Sequence, residues 1–109
     1  MTTYDIAGNL KQDERALGNI VLNLDTYRLC IDGCEVETTY HELELLRVLL
    51  DQPERIVGFT ELTHALWGTT DKMAVRHLNV LVHRLRAKLT AAEPYTIETV
   101  RGRGYGFLK

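Results

Sequence analysis

The stretch that decides the fold runs from Met73 to Leu89 and reads MAVRHLNVLVHRLRAKL. Placing successive residues about 100° apart, as in an α-helix, divides this stretch into two faces. The apolar face, predicted to be buried, consists of Val75, Leu78, Val82, Leu85 and Leu89. The opposite face holds Met73, Arg76, His77, Val80, His83, Arg84 and Ala87, with Arg86 and Lys88 on its flanks. We therefore predict an amphipathic helix whose outward face is basic and has one small apolar residue near its centre.

A basic hairpin is predicted directly after this helix. The run from Tyr95 to Arg101 alternates as a strand does, and Gly102 to Gly104 supplies a turn before the second strand, Tyr105 to Leu108. Arg101 and Arg103 therefore lie at a glycine-flanked tip, where little bulk prevents close approach to another molecule. The alternative is a simple hairpin that needs its glycines only for the turn.

Upstream of the helices the sequence has a strand pattern. Residues 20–38 form short alternating runs separated at Asp25-Thr26 and at Asp32-Gly33, and the second dipeptide favours a tight type I′ turn. With a weaker run at residues 14–17, this predicts a small antiparallel sheet of three or four strands. Residues 1–13 are predicted to be a flexible tail or linker, which leaves 14–109 as a single domain.

Two further helices are predicted between the sheet and the basic helix. Thr39 and Glu42 fit a capping box, in which each side chain satisfies the other residue's backbone N–H. The first helix then has an apolar stripe of leucines and ends before Pro53. After an extended piece at residues 55–57, a second short helix is predicted to end at Gly68. Its apolar positions are Leu62, Ala65 and Leu66.

Charge is distributed unevenly along the chain. Residues 1–54 carry four Lys or Arg against eleven acidic residues, a net charge of −7, whereas residues 55–109 carry nine against four, a net charge of +5. The overall value of −2 therefore conceals a basic half that is a candidate for contact with phosphates.

Several other function classes are disfavoured by the sequence. No apolar run is long enough for a signal peptide or a membrane span, so we expect a soluble, cytoplasmic protein. Cys30 and Cys34 match no zinc or redox motif, and we expect reduced structural thiols. The four histidines lack ligand spacing with an accompanying acid or cysteine, so neither a metal, a cofactor nor an enzymatic activity is expected.

The basic helix and hairpin together indicate binding to double-stranded DNA. The major groove admits one α-helix, and its base edges offer acceptors to arginine and a methyl group to small apolar side chains. Arg76 or Arg84 is suited to guanine and Val80 to a thymine methyl, while other cations hold phosphates. An arginine of the hairpin tip can enter the minor groove. The alternatives are a solvated helix face, or a module whose basic face docks an acidic protein and binds DNA poorly.

Three motifs resemble the OmpR/PhoB family of winged-helix effector domains of two-component response regulators. They are Trp67-Gly68, RHLNVLVHRLRAKL at residues 76–89 and TVRGRGYGF at residues 99–107. The resemblance covers about residues 14–109 and implies an α+β winged helix-turn-helix fold, with an N-terminal four-stranded antiparallel sheet, three helices and a C-terminal hairpin wing. It also implies that the third helix enters the major groove and that the wing, at about residues 96–108, reaches the minor groove. The positions that match the family's DNA-contacting residues are Arg76, His77, His83, Arg84, Arg86, Thr99, Arg101 and Tyr105.

The full set of candidate DNA-binding residues adds Val80 and Arg103 to these positions. Tyr105 has two interpretations, because its ring can pack on the sheet or its hydroxyl can donate to a phosphate. The chain departs from the family pattern at Asn79 and Leu81, usually Asp and His, and at Phe59, where Arg is common. We therefore transfer no sequence preference and expect one phosphate contact fewer.

The resemblance also implies partners. A loop at residues 68–72 lies where the family is thought to touch RNA polymerase, although a plain interhelix connection explains it equally well. A recognition surface this small usually needs a second copy, so we expect a homodimer on repeated half-sites. Family members commonly carry an N-terminal receiver domain, so the chain is either an effector domain of a longer regulator or a small complete one.

Overall fold

A computed structural model describes residues 3–4, 10–11 and 14–109. Two short strands, β1 (Thr3–Tyr4) and β2 (Leu10–Lys11), pair antiparallel near the start of the chain. The tail was predicted over residues 1–13, and its other residues, 1–2, 5–9 and 12–13, lie outside the described residues.

The predicted N-terminal sheet is confirmed and has four antiparallel strands in sequential order. Its strands are β3 (Glu14–Leu17), β4 (Ile20–Asn23), β5 (Arg28–Ile31) and β6 (Cys34–Val36). The turn between the last two strands has the positive φ angles that its type requires, 53° at Asp32 and 81° at Gly33. The inward side chains of the two central strands are fully or almost fully buried, and they are Ile20, Leu22, Leu29 and Ile31.

Helix α1 (Tyr40–Asp51) begins with the predicted capping box. The Thr39 hydroxyl accepts from the Glu42 backbone N–H at 3.3 Å, and the Glu42 carboxylate accepts from the Thr39 N–H at 2.8 Å. Glu42 is also only 1% exposed, and Lys88 of the third helix donates to the same carboxylate oxygen at 2.6 Å. Sequence reasoning assigned the cap but missed this ion pair.

The second helix and the strand before it complete the scaffold under the third helix. Strand β7 (Ile56–Gly58) leads into α2 (Phe59–Trp67), and Gly68 ends that helix with a φ of 71°, as predicted. The extended piece predicted at residues 55–57 is therefore a strand, and it pairs with the C-terminal hairpin in a three-stranded sheet. Sequence reasoning did not foresee that pairing, because it joins segments almost 50 residues apart.

Helix α3 (Lys72–Lys88) begins and ends one residue earlier than predicted, at a cap where the Asp71 carboxylate accepts from the Ala74 N–H at 2.8 Å. Its buried face differs in part from the prediction. Val75 is only half-buried, whereas Ala74 and Leu81 are buried. The face is wider because three elements, α1, α2 and the first strand of the C-terminal hairpin, pack against this helix.

The wing follows as β8 (Thr96–Val100) and β9 (Gly104–Leu108), which confirms the predicted hairpin. Phe107 of the second strand is fully buried in the same core as the leucines of α1. Across the described ranges, none of the helices combines the length and apolar character that crossing a bilayer would require.

Candidate nucleic-acid interface

The outward face of α3 presents the predicted arginines and histidines to solvent. Arg76, His77, His83 and Arg84 are all exposed, and Val80 lies among them with 49% of its surface exposed. Val80 is one of a few large apolar residues that the described part of the chain leaves exposed, and Met73 on the same helix is another. A small apolar side chain surrounded by cations is a surface suited to a base edge rather than to water.

Four cations outside this face are paired with carboxylates, in contrast to the arginines of the face and of the wing tip. Arg15, Arg47 and Lys88 each form an ion pair with a carboxylate at 2.6 to 3.5 Å, and Arg28 forms one at 3.6 Å. Within the described residues, no such ion pair involves the exposed cations of α3 or of the wing, namely Arg76, Arg84, Arg101 and Arg103. Their charge is therefore available to an external anion.

The wing tip adds the two arginines that the hairpin pattern predicted. Arg101 and Arg103 are exposed on either side of Gly102, which has a φ of 75°. The wing is anchored directly behind its tip at Gly104, where an added Cβ would lie only 2.0 Å from the carbonyl oxygen of Val57. Only glycine allows β9 to approach β7 this closely, so this residue fixes where the wing leaves the domain.

Three predicted contact residues are brought together in the joint between α3 and the wing. The Arg86 guanidinium donates from Nε to the Ile97 carbonyl at 2.9 Å and from Nη2 to the Thr99 hydroxyl at 2.6 Å. It also lies 5.8 Å from the centre of the Tyr105 ring. Arg86 and Thr99 thus hold the wing against the helix, with Thr99 itself still exposed.

Tyr105 lies deeper in the joint than a surface contact would require. Only 5% of its surface is exposed, and its hydroxyl donates to Oδ1 of Asn79 at 2.5 Å. Burial raises the pKa of the Tyr105 hydroxyl, and the nearby Arg86 charge opposes that rise only in part. The hydroxyl therefore stays protonated and keeps its role as a donor to Asn79.

Asn79 was missed by sequence reasoning as a site residue. It is exposed on α3 at about 60° from Arg76 on the helical wheel, which is within the outward face. This position on the helical wheel could have identified Asn79 from the sequence as a residue of the outward face. The contact with Tyr105 could not have been predicted, because the two residues meet only when the wing packs against the helix.

A row of ring contacts connects the sheet to the outward face of α3. Tyr27 stacks on Tyr40 with ring centres 5.5 Å apart, and His41 lies 5.4 Å from Tyr40. Trp67 is 5.5 Å from His41 and 6.0 Å from His77. Trp67 is half-buried against the core, so this row fixes the surroundings of His77 at the start of the candidate interface.

The remaining titratable residues do not assemble into a second kind of site. Among the described residues, no three His, Cys, Asp or Glu side chains form a group that could hold a metal ion. Cys30 and Cys34 are both free thiols. They lie at successive register positions of one hairpin, opposite Glu35 and Ile31 respectively, and so point to opposite faces of the sheet.

Comparison with known proteins agrees with this geometry. The family model for "Transcriptional regulatory protein, C terminal" matches residues 33–107. Protein RcaC of Microchaete diplosiphon is 36% identical over 90 residues, which cover 81% of this chain and 14% of RcaC. Response regulator SaeR of Staphylococcus epidermidis is 32% identical over 99 residues, which cover 89% of this chain and 43% of SaeR. The chain thus spans less than half the length of either relative.

A solved structure shares the whole domain. It is the DNA-binding domain of RstA from Klebsiella pneumoniae in complex with the RstA box, with a TM-score of 0.78 and 28% identity over 88% of this chain and 97% of that one. The strand order, three helices and terminal hairpin described above are those that the resemblance implied. This chain therefore belongs to the OmpR/PhoB-type family of transcriptional regulatory protein C-terminal domains, whose function is sequence-specific DNA binding for transcription regulation.

Proposed function

We propose that this domain binds double-stranded DNA with α3 in the major groove and the wing in the adjacent minor groove. The observation that carries the proposal is the contrast in ion pairing. Arg76 and Arg84 of α3 and Arg101 and Arg103 of the wing tip have no ion pair within the described residues. Four other cations of the described residues do, namely Arg15, Arg28, Arg47 and Lys88. Unpaired cations on one surface favour a polyanion as the ligand.

Base reading is proposed for the centre of the helix face. Arg76 or Arg84 can donate two hydrogen bonds to a guanine, and the exposed Val80 can contact a thymine methyl. His77 and His83 flank these residues and are proposed to contact phosphates or base edges. Such contacts place the helix along the groove and supply the sequence preference.

The wing is proposed to add contacts in the minor groove. Arg101 and Arg103 extend from a tip whose middle residue has no side chain, so that both guanidinium groups can approach a narrow groove. Thr99 is exposed close to the tip of the wing and can donate to a phosphate while its oxygen accepts from Arg86. Arg86 and Tyr105, whose polar groups are engaged internally, are proposed to act first by holding the wing, and any DNA contact they make is additional.

We also propose the domain bounds, the number of copies on DNA and a contact for RNA polymerase. Residues 14–109 are proposed to be the DNA-binding domain and residues 1–13 a linker. Binding is proposed to involve two copies on repeated half-sites. The exposed loop at residues 68–72, whose last residue begins α3, is a proposed contact for RNA polymerase. Because the proposed ligand is double-stranded DNA, the protein is also proposed to act in the cytoplasm.

A salt titration of binding to random-sequence duplex DNA tests the proposal. Four to seven phosphate contacts per monomer would give a log-log slope of about −4 to −6. The double variant Arg84→Ala, Arg101→Ala should flatten this slope by about 2 if both residues contact phosphate. If Arg84 reads a base instead, its loss should cost about 1 to 3 kcal/mol on a preferred site only.

Arg28→Ala serves as the control, because it removes a cation that is exposed but paired with Glu35. It should leave the slope unchanged. Absence of duplex binding even at low salt would contradict the proposal and would favour a module that docks an acidic protein.

A further inference from the structure

The joint between α3 and the wing contains a polar pair that the DNA contacts described so far do not use. Tyr105 is 5% exposed and donates its hydroxyl proton to Oδ1 of Asn79, while Asn79 itself remains exposed on the helix. The donor is thus held by the core and the acceptor lies at the surface. An exposed amide held in one orientation differs from an ordinary surface asparagine, which rotates freely.

The orientation determines what Asn79 can offer. An asparagine amide has one carbonyl oxygen and one NH₂ group with two donor protons. The Tyr105 hydroxyl takes one of the two lone pairs of that oxygen and holds it toward the joint, while both NH₂ protons remain available to donate. Asparagine reads adenine by using its oxygen and its NH₂ together, so an amide held in this way is poorly suited to adenine.

The position of Asn79 specifies the part of the DNA that it faces. His83 and Arg86 follow it at spacings of four and seven residues, so the three share the side of α3 that is turned toward the wing. With the helix in the major groove and the wing in the minor groove, the sugar-phosphate strand between the two grooves passes over this side. Both its phosphate oxygens and the purine edges beside it are hydrogen-bond acceptors.

We infer that Asn79, held by the Tyr105 hydroxyl, is a specificity-determining residue that donates from its NH₂ group to an acceptor on DNA. Tyr105 is then a positioning residue that acts through Asn79 and needs no DNA contact of its own. An aspartate at this position would offer only oxygen atoms and would repel the same acceptor. This inference rests on the proposed function, because it requires α3 and the wing to occupy adjacent grooves.

A double-mutant cycle tests the inference with three variants, Asn79→Ala, Tyr105→Phe and the two combined. The phenylalanine keeps the ring contacts that Tyr105 makes with Phe59 at 5.5 Å and with Arg86 at 5.8 Å. Alanine at an exposed helical position favours the helix, so the variants should fold, and thermal unfolding confirms that they do. Binding is measured on a duplex selected by the unmodified chain from a random pool, and on the set of its single base-pair substitutions.

Loss of one hydrogen bond should weaken binding about threefold to tenfold in Asn79→Ala. Tyr105→Phe should weaken binding less, and it should have no further effect once Asn79 is already alanine. If the acceptor is a base, the penalty disappears when one particular base pair is changed. If the penalty is equal on every duplex, the acceptor is a phosphate, and the specificity-determining role of Asn79 is overturned.

Unchanged binding by a folded Asn79→Ala variant would overturn the inference. Fully additive losses would overturn it as well, because they would mean that Tyr105 contacts DNA independently. Failure of the unmodified chain to bind any duplex is a separate result, since it contradicts the proposed function itself.

Discussion

The buried ion pair between Glu42 and Lys88 provides the sharpest test of what stabilises this domain. Glu42 caps the start of α1, and its carboxylate is held by the Thr39 N–H at 2.8 Å and by the Lys88 ammonium at 2.6 Å. Lys88 is the last residue of α3, so the pair joins two helices. Replacing Lys88 with methionine keeps the aliphatic stem and removes only the charge and the hydrogen bond.

The cost can be worked out from the exposure of the two partners. The Glu42 side chain is 2% exposed and that of Lys88 is 32% exposed. Removing one partner of a fully buried pair costs about 3 to 5 kcal/mol, and a hydrogen bond to a charged group contributes about 1.5 to 3 kcal/mol. Because solvent reaches Lys88, we expect a loss of about 2 kcal/mol in the free energy of unfolding at neutral pH. For a domain of this size, that lowers Tm by about 10 °C.

The pKa of Glu42 determines how the stability of each protein changes with pH. Burial raises the pKa of Glu42, but the hydrogen bonds from Lys88 and Thr39 and the Lys88 charge outweigh burial and leave it lowered. A lowered folded pKa adds stability above the unfolded value of about 4.3, and this stability is lost as pH falls through the folded pKa. In Lys88→Met, burial should dominate and raise the pKa of Glu42 in the folded state. The contribution of Glu42 to the free energy of unfolding should then increase as pH falls.

Urea unfolding of both proteins at pH 7 and at pH 4 is the assay. The difference between them should be about 2 kcal/mol at pH 7 and should shrink toward pH 4, with equal m values. Arg28→Met is the control, since it removes a cation from an exposed pair at 3.6 Å and should change the midpoint little. A loss below about 0.5 kcal/mol at pH 7, or a difference that does not change with pH, would refute this reasoning.

Three further predictions concern positions that only the folded chain brings into contact. Gly104→Ala places a Cβ 2.0 Å from the Val57 carbonyl oxygen, so it should cost about 3 kcal/mol by thermal unfolding; a loss within error of zero would mean that β7 can yield. Asn19→Ala removes two side-chain hydrogen bonds to the loop after α3, at 2.9 and 2.6 Å, and should cost about 1 to 3 kcal/mol in urea unfolding, whereas an unchanged midpoint would show that water replaces them. Arg86→Met frees the wing from α3 and should weaken DNA binding about fivefold with an unchanged salt slope; a slope reduced by about 0.9 would instead assign Arg86 to a phosphate.

Much of the architecture could be predicted from local signals. The capping box at Thr39 and Glu42, the positive φ at Asp32 and the stop at Gly68 are all consequences of neighbouring residues, and all three are confirmed. The ends of α3 differ from the prediction by one residue. These features were accessible because a turn or a cap depends on atoms only a few positions apart.

The candidate interface was predicted only in part. The exposed cations of α3 followed from helical phase, and the two wing arginines followed from the glycine pattern. Leu81 was missed as a core residue because three elements, α1, α2 and β8, pack against α3, and the width of a buried face depends on how many neighbours the helix has. Direct contact of the α3 cations and the wing arginines with DNA stays a prediction until binding is measured.

By itself, the sequence determined the order of the elements, their caps and turns, and which face of α3 is basic, because these depend on helical and strand periodicity and on local hydrogen bonding. Only the tertiary structure decided that Lys88 reaches Glu42, that β7 pairs with β9, and that Tyr105 holds Asn79. Each of these contacts joins residues at least 26 positions apart, and each depends on the angle at which two elements pack. That angle depends on how side chains from all the elements pack in the core, so it cannot be predicted from any single segment.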